Sequence, residues 1–299
     1  MCRTMPTSSH LDGLLSRELS VSRVELTNRW RHYTRWSCLG YNRPQITLSI
    51  YPINTRLLKK LKESRLGEMA IQILEGIPVS IDKQEVLRLQ GRHGNEKLTE
   101  PIREILDEVM EDCQQLLHPK AILVETEAEV MKKSIRLANG LTLHNSDGAR
   151  AWRNADHLGA VVCTIGPALE RRVSELSAQG AHTAALMLDS IGSVAVESVA
   201  DHANRRICQG AGQRGMKAGP RLSPGYGAWP LEDQRVIFAM VPAERIGVHL
   251  NEQGIMIPMN SISFCLGMGR NLKAPEGLHP CQYCNLKNCQ YRKTLKGQP

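Results

Sequence analysis

Apolar and polar residues follow a helical period in several segments from about Asn54 onward. The clearest helix begins after Thr99, a candidate N-cap, with Pro101 in its first turn, where a missing amide costs little. One stripe of this helix is apolar and predicts a buried face; it contains Ile102, Ile105, Leu106, Val109, Met110, Cys113, Leu116 and Leu117. Before it, residues 57–65 form a basic helical pattern, residues 68–74 form a second segment, and Asp82 can cap a helix over residues 83–90.

Strand patterns alternate with these helices. Residues 121–125 and the apolar run 158–165 favour strands, the second of them central in a sheet. Leucine and isoleucine alternate on both sides of Asn139-Gly140, which predicts a hairpin with positive φ at both turn residues. The short β-rich segments 246–250, 254–257 and 261–266 predict further strands.

Two consecutive helices are predicted in the second half of the chain. Gly166-Pro167 ends the apolar strand, and Pro167 starts a helix that continues to about residue 178 and is closed by Gly180. A long helix is expected over residues 183–208, and a short one over residues 230–240. Together the elements predict an α+β fold, with a twisted, largely antiparallel sheet and helices packed against it.

Composition and charge narrow the function classes. The chain has 299 residues and a net charge of +8, but residues 1–62 hold eleven Lys and Arg against three acids, so the remainder is balanced. An extended nucleic-acid-binding face is therefore not expected in the body of the protein. No run approaches the roughly 18 apolar residues of a membrane span, and the first residues lack the apolar segment of a secretory signal. We expect a cytoplasmic protein.

Residues 220–230, Pro-Arg-Leu-Ser-Pro-Gly-Tyr-Gly-Ala-Trp-Pro, predict a shaped loop. Three prolines and two glycines exclude a continuous helix or central strand, since proline fixes φ and glycine tolerates positive φ. Arg221 offers a guanidinium fork that matches a carboxylate, and Tyr226 and Trp229 offer aromatic faces. The alternative is an ordinary surface turn.

The motifs in and after this loop resemble the activation domain of cobalamin-dependent methionine synthase. Arg221-Leu-Ser-Pro-Gly-Tyr226 is similar to that family's Arg-x-x-Pro-Gly-Tyr motif. Ile246-Gly-Val-His-Leu-Asn-Glu252, Met256-Ile-Pro258 and Ser261-Ile-Ser263 are similar to three further family motifs, in the same order. The resemblance extends over residues 57–269 and is closest to stand-alone versions of the domain that carry a cysteine-rich tail.

This resemblance implies an α+β activation-domain fold and a methyltransferase-type activity. It implies that S-adenosylmethionine remethylates cob(II)alamin while an electron arrives from a ferredoxin or flavodoxin, which reactivates a methyltransferase in methionine biosynthesis. Arg221 would hold the ligand's carboxylate and Glu197 its ammonium or ribose end. The remaining expected ligand residues are Ser223, Pro224, Gly225, Tyr226 and Glu252. From the residues alone, Glu197 could equally be a solvated carboxylate or a partner of Arg205.

The chain also departs from the synthase. Residues 227–230 read Gly-Ala-Trp-Pro where the synthase has Pro-x-Cys-Pro, and no acidic residue matches the ligand-binding one near the start of the synthase domain. Folate-, zinc- and cobalamin-binding modules do not fit into this length. The implied partner is therefore a corrinoid protein, or a methionine synthase that lacks its own activation domain.

Three clustered cysteines near the end have the spacing of metal ligands. Cys281 and Cys284 form a C-x2-C pair, and Cys289 follows four residues later. Cys265, His279 or an exogenous group could complete the site. We favour an iron-sulfur cluster over structural zinc; three free thiols are the remaining alternative.

Three regions are therefore expected. Residues 1–53 form a basic leader, either a disordered tail or a product of a start codon placed too far upstream; residues 54–270 form the activation-like domain; residues 271–299 form the cysteine-rich tail. Two functional alternatives remain open. One is a non-catalytic protein that binds zinc and nucleic acid, through the tail and through the aromatic and basic residues of the leader. The other is an S-adenosylmethionine-dependent methyltransferase with a different acceptor.

Overall fold

An antiparallel sheet organises the part of the chain that the computed structural model describes, residues 70–91 and 98–272. Residues 1–53, the helix predicted over residues 57–65 and the tail from residue 273 lie outside the described residues. In chain order the elements are β1 (Ala70–Glu75), α1 (Lys83–Leu89), α2 (Glu100–Asp112), β2 (Lys120–Val130), β3 (Ile135–Leu137), β4 (Thr142–Leu143), α3 (Ser146–Ala151), β5 (His157–Thr164), α4 (Ala168–Ala178), α5 (His182–Gln213), β6 (Lys217–Ala218), α6 (Gln234–Met240), β7 (His249–Leu250), β8 (Met256–Ile257) and β9 (Ser261–Gly269). Short 3₁₀ turns lie at Cys113–Leu116, Leu231–Asp233 and Ala243–Ile246.

In the described part of the chain the main sheet has seven strands, all paired antiparallel, and six of them follow the order β4-β3-β2-β5-β9-β6. β1 pairs with the first half of β2, on the same edge that β3 uses further along. β5 lies between β2 and β9, and every residue of β5 after His157 is buried. The predicted fold class and the central position of this apolar strand are confirmed.

The two faces of the sheet are covered differently. α5, the longest helix, packs on one face against β2, β5, β6 and β9. The other face carries a cluster of buried apolar residues that includes Trp152, Leu222, Trp229 and Cys265. By length and composition α5 is apolar enough to span a membrane, although no such span was expected from the sequence. Most of its apolar stretch is buried inside the protein. α5 is therefore a core helix.

Several local predictions are confirmed. Asp82 caps α1 by accepting a hydrogen bond from the Gln84 amide at 2.8 Å. Thr99 precedes α2, with Pro101 in its first turn. Pro167 precedes α4, and Gly180 follows the helix with φ +80°. The long helix α5 extends five residues beyond the predicted end.

The hairpin turn at Asn139-Gly140 differs from the prediction. Gly140 has φ +83°, but Asn139 does not have positive φ. The Gly140 amide donates to Leu137 O at 2.9 Å, and the Leu137 amide donates to Leu141 O at 2.8 Å. The loop therefore contains three residues and ends in a left-handed glycine, a common alternative to the two-residue turn. The Asn139 side chain closes it by accepting the Leu141 amide.

Candidate functional site

The loop 220–230 is fastened to the edge of the sheet at its start. The amide of Leu222 donates to Cys265 O at 2.9 Å, and the amide of Cys265 donates back at 2.8 Å. Leu222 and Cys265 lie opposite each other, and both belong to the apolar cluster. Because successive residues of an extended segment point to opposite faces, Arg221 points to the face that α5 covers.

Three backbone hydrogen bonds shape the rest of the loop. The Tyr226 amide donates to Ser223 O at 3.2 Å, the Trp229 amide donates to Tyr226 O at 3.0 Å, and the Gly225 amide donates to Trp229 O at 2.9 Å. Gly225 has φ +84° and Gly227 φ +58°, values that only glycine adopts without strain. The predicted shaped loop is confirmed. Pro224 is buried within it, and Ser223 and Tyr226 are half-buried.

Arg221 binds two carboxylates of α5. Its Nη2 lies 2.6 Å from Glu197 and 3.0 Å from Asp201. The two acids are four residues apart and therefore lie one turn apart on the same side of the helix. Glu197 thus pairs with Arg221 and not with Arg205, the alternative partner considered from the sequence.

Burial differs sharply within this group. The Arg221 side chain is only 12% exposed, whereas those of Glu197 and Asp201 are 43% and 49% exposed. The Arg221 Cζ lies 5.6 Å from the centroid of the Phe264 ring, a cation-π contact from the sheet below. Burial lowers the pKa of Arg221, but the charges of Glu197 and Asp201 outweigh this and the pKa is raised overall. The guanidinium is therefore a fixed cation in a largely dehydrated position.

The guanidinium keeps hydrogen-bonding capacity for a ligand. Both ion pairs use Nη2, and no residue within the described ranges accepts a hydrogen bond from Nη1 or Nε. Arginine has five donors in a planar fork that matches a carboxylate. The half-exposed carboxylates beside it can accept hydrogen bonds from an ammonium or a hydroxyl. Arg221, Glu197 and Asp201 together present the two opposite charges that a zwitterionic molecule, such as an amino acid, would need for binding.

The structure brings together most of the sequence-predicted ligand residues, but not Glu252. Arg221 and Glu197 are in contact, residues 223–226 continue the loop from Arg221, and the charge of Tyr226 contributes to the raised pKa of Arg221. Glu252 lies in the turn between β7 and β8, where its carbonyl oxygen accepts a hydrogen bond from Arg235 at 2.6 Å. That bond joins Glu252 to α6, and no contact within the described part of the chain joins it to Arg221.

Sequence reasoning missed Asp201 and Phe264 as members of the site. Asp201 had a usable signal, since it follows Glu197 by four residues on a predicted helix. Phe264 had none, because only the pairing of β5 with β9 and the position of the loop place its ring beneath Arg221.

The serine motif on β9 has a structural role. Ser261 Oγ donates to Pro258 O at 2.7 Å and lies 3.1 Å from Thr164 Oγ1, which joins β9 to the end of β5. Ser263 Oγ lies 3.4 Å from Gln234 Oε1, and Gln234 donates to Gly254 O. The motif therefore fastens α6 and the β7–β8 hairpin to the sheet.

The cysteines of the described region are buried or half-buried free thiols: Cys113, Cys163, Cys208 and Cys265. Cys265 lies fully inside the apolar cluster, and burial raises the pKa of its thiol above the ordinary range. Cys265, His279 and an exogenous group all remain predictions for the fourth ligand. Within residues 70–91 and 98–272 no group of three or more His, Cys, Asp or Glu could hold a metal. Cys281, Cys284 and Cys289 lie outside the described residues.

Comparisons with known proteins agree with the motifs. Residues 148–271 match the family model described as "Vitamin B12 dependent methionine synthase, activation domain". The fold is similar to that in the "Crystal Structure of the MetH Reactivation Domain bound to AdoHcy", with a TM-score of 0.55 and 14% sequence identity, over 69% of this chain and 80% of that one. No curated protein matches the chain. The resemblance to the methionine synthase activation domain is thus confirmed over residues 148–271, and the α+β fold is that of the MetH reactivation domain.

Proposed function

We propose that this protein binds S-adenosylmethionine and reactivates a corrinoid methyltransferase by reductive methylation of cob(II)alamin. The observation that supports this best is the buried Arg221 with free donors beside two half-exposed carboxylates. It lies in the loop whose sequence resembles that of the family. The solved neighbour is described as bound to AdoHcy, which carries the same amino-acid and nucleoside groups as S-adenosylmethionine without the methyl.

The residues present suit such a ligand. Arg221 would donate hydrogen bonds from Nη1 and Nε to the carboxylate of the methionine part, and Glu197, with Asp201, would bind the ammonium or a ribose hydroxyl. The backbone of residues 223–226 would border the nucleoside, and Tyr226 would lie towards the corrin. Once bound, S-adenosylmethionine supplies the methyl group and a corrinoid accepts it. The protein supplies position and charge.

We place the corrinoid on a partner, because the resemblance covers an activation domain alone. A corrinoid protein or a methionine synthase without its own activation domain would suit, together with a ferredoxin or flavodoxin as electron donor, in the cytoplasm. The free thiols of the described region agree with a reducing compartment.

A reconstituted reactivation assay tests this function. The protein, S-adenosylmethionine, a reductant and a corrinoid protein held as cob(II)alamin are mixed anaerobically, and the visible spectrum of the corrin is followed. We expect methylation only when all four are present. Absence of S-adenosylmethionine binding would refute the proposal. Binding without methylation of any corrinoid protein would favour a methyltransferase with another acceptor.

We further propose that Cys281, Cys284 and Cys289 bind an iron-sulfur cluster, with zinc as the alternative. Protein purified anaerobically should contain iron and sulfide and should show visible absorption that bleaches with dithionite. Cys284→Ala should remove the metal and leave S-adenosylmethionine affinity unchanged. Stoichiometric zinc without iron would contradict the cluster, and equal metal content in wild type and Cys284→Ala would contradict the ligand assignment.

A further inference from the structure

Two tryptophans hold the two ends of the loop 220–230. The Trp152 indole donates from Nε1 to Pro220 O at 2.8 Å, at the start of the loop. The Trp229 indole, near its end, donates from Nε1 to Asp233 Oδ2 at 2.9 Å. Both rings are buried, and they meet edge to face with centroids 6.2 Å apart at 85°. The indole contact therefore links the start of the loop to its end.

Asp233 is the polar centre of this arrangement. Its side chain is only 7% exposed, and its Oδ2 also accepts a hydrogen bond from the backbone amide of His144. The other oxygen, Oδ1, lies 3.3 Å from Nδ1 of His144. A buried carboxylate is tolerated when donors surround it, and charge-assisted hydrogen bonds are stronger than neutral ones. Asp233 thus joins the Trp229 indole to the segment that precedes α3.

A second aspartate, in the first turn of α3, also binds the loop. Asp147 Oδ2 accepts a hydrogen bond from the Ala228 amide at 2.9 Å. Adjacent loop residues, Ala228 and Trp229, are therefore both tied to residues 144–147, one directly and one through Asp233. The Asp233–Trp229 hydrogen bond is buried and joins two side chains, whereas the Asp147–Ala228 hydrogen bond is exposed and its donor is a backbone amide.

We propose that Asp233 is a positioning residue for the ligand loop, acting through the Trp229 indole. The backbone of Trp229 makes two of the three hydrogen bonds that shape the loop, with Gly225 and Tyr226. When the indole is fixed, those two bonds are fixed, and with them the residues that follow Arg221. That this loop binds S-adenosylmethionine rests on the proposed function; the positioning of the loop does not.

The experiment compares Asp233→Leu with Asp233→Asn by hydrogen-deuterium exchange. Leucine has a similar size but accepts no hydrogen bond, whereas the asparagine oxygen can accept both N–H groups that now meet at Oδ2. Loss of a hydrogen bond to a charged group changes the equilibrium constant for local opening of the loop by about tenfold or more. We expect exchange in residues 220–230 to rise by about that factor in the leucine variant, and the asparagine variant to stay close to wild type. β5 and β9 should remain protected in both.

Trp229→Phe covers the case in which Asp233→Leu does not fold. Phenylalanine keeps an aromatic ring against Trp152 and removes only the indole N–H, so exchange in residues 220–230 should rise there as well. Unchanged exchange in that peptide would overturn the proposal. Faster exchange spread equally over β5 and β9 would also overturn it, because Asp233 would then serve the core. Failure of asparagine to preserve the slow exchange would refute its role as a hydrogen-bond acceptor.

Ligand affinity separates this proposal from the proposed function. S-adenosylhomocysteine should bind the leucine variant at least about tenfold more weakly than the asparagine variant. If wild type does not bind that ligand but exchange changes as expected, the proposed function fails and the positioning role stands. If wild type binds it and exchange does not respond to Asp233→Leu, the positioning role fails alone.

Discussion

Arg214 and Arg221 lie on either side of β6 in the sequence. Each forms an ion pair with at least one carboxylate from another element, but Arg214 is exposed and Arg221 is largely buried. Arg214 is 46% exposed and uses all three nitrogens: Nη1 and Nη2 bind both oxygens of Glu125, and Nε donates to Gly210 O. Arg221 is buried, and its ion pairs use a single nitrogen. Arg214 is satisfied by the protein and exposed to water. Arg221 is largely dehydrated, and no residue in the ranges 70–91 and 98–272 accepts a hydrogen bond from its Nη1 or Nε.

This difference separates a structural ion pair from a binding site. A bidentate pair on the surface joins α5 to β2 and offers a ligand little, because its donors are used and water screens its charge. A buried cation with free donors and half-exposed acids favours a ligand, since charge-assisted hydrogen bonds strengthen away from water. The pKa values do not distinguish the two, because both arginines have a raised pKa.

The largest expected effect is that of Arg221→Ala on ligand affinity. Truncating one partner of a buried charged pair typically costs about 2 to 5 kcal/mol, or about 30-fold to 4,000-fold in affinity. Calorimetry with S-adenosylmethionine measures it. Arg214→Ala is the matched control and should bind like wild type, with a change in stability of at most about 1 kcal/mol. Equal losses in the two variants would remove the distinction drawn between the arginines.

Glu197→Gln tests whether the acid contacts the ligand or only holds Arg221. If Glu197 binds the ammonium or a ribose hydroxyl, the neutral amide should weaken binding by about tenfold, the lower range for a hydrogen bond to a charged group. If Glu197 only competes with the ligand for the guanidinium of Arg221, the affinity of the Glu197→Gln variant for the ligand should be unchanged or should rise. We expect the loss. Glu125→Gln, which changes the partner of Arg214, is the control that should leave affinity intact.

The smallest expected effect concerns the backbone of the loop. Gly225 and Gly180 have nearly the same positive φ, so alanine at either should cost about 1 to 2 kcal/mol of stability. A Cβ at Gly225 would lie 3.3 Å from Leu231 Cδ1, whereas one at Gly180 would meet nothing within 4 Å. Gly225→Ala should therefore also weaken ligand binding, and Gly180→Ala should not. Thermal melts and calorimetry on both variants check this, and a ligand effect at Gly180 would speak against a local role for the loop.

Much of the fold was predicted from short-range patterns in the sequence. Asp82 was identified as a helix cap and Thr99 as the residue before a helix, because these signals depend on adjacent residues, but the Thr99 side chain makes no capping hydrogen bond. β5 was identified because its apolar run is continuous. The ends of the later strands were not found: the segment predicted over residues 246–250 is a strand only at His249–Leu250. Just before this strand, a 3₁₀ turn lies between Pro242 and Gly247. Its residues do not show the apolar periodicity of a strand or a helix.

The candidate site was predictable where residues are close in sequence and not where they are distant. The loop and Glu197 came from motifs and their resemblance, whereas Asp201 was missed although its helical spacing from Glu197 was a usable signal. The contacts of Trp152 with Pro220 and Trp229 join residues that are 68 or more positions apart, so no local pattern contains them. Cys265 gave no sign of facing the apolar cluster, because in β9 large apolar residues alternate with small ones, and Cys265 lies among the small ones although both faces of the strand are buried.

The most direct test of the site is a cycle that pairs Arg221→Ala with a ligand lacking the carboxylate. Affinities of wild type and Arg221→Ala are measured by calorimetry for S-adenosylhomocysteine and for 5′-methylthioadenosine, which has the nucleoside but no amino-acid part. We expect Arg221→Ala to weaken the binding of S-adenosylhomocysteine by at least about 30-fold and to leave the affinity for methylthioadenosine within about threefold of wild type. Equal losses for both ligands, or a loss for neither, would contradict the assignment of Arg221 to the carboxylate.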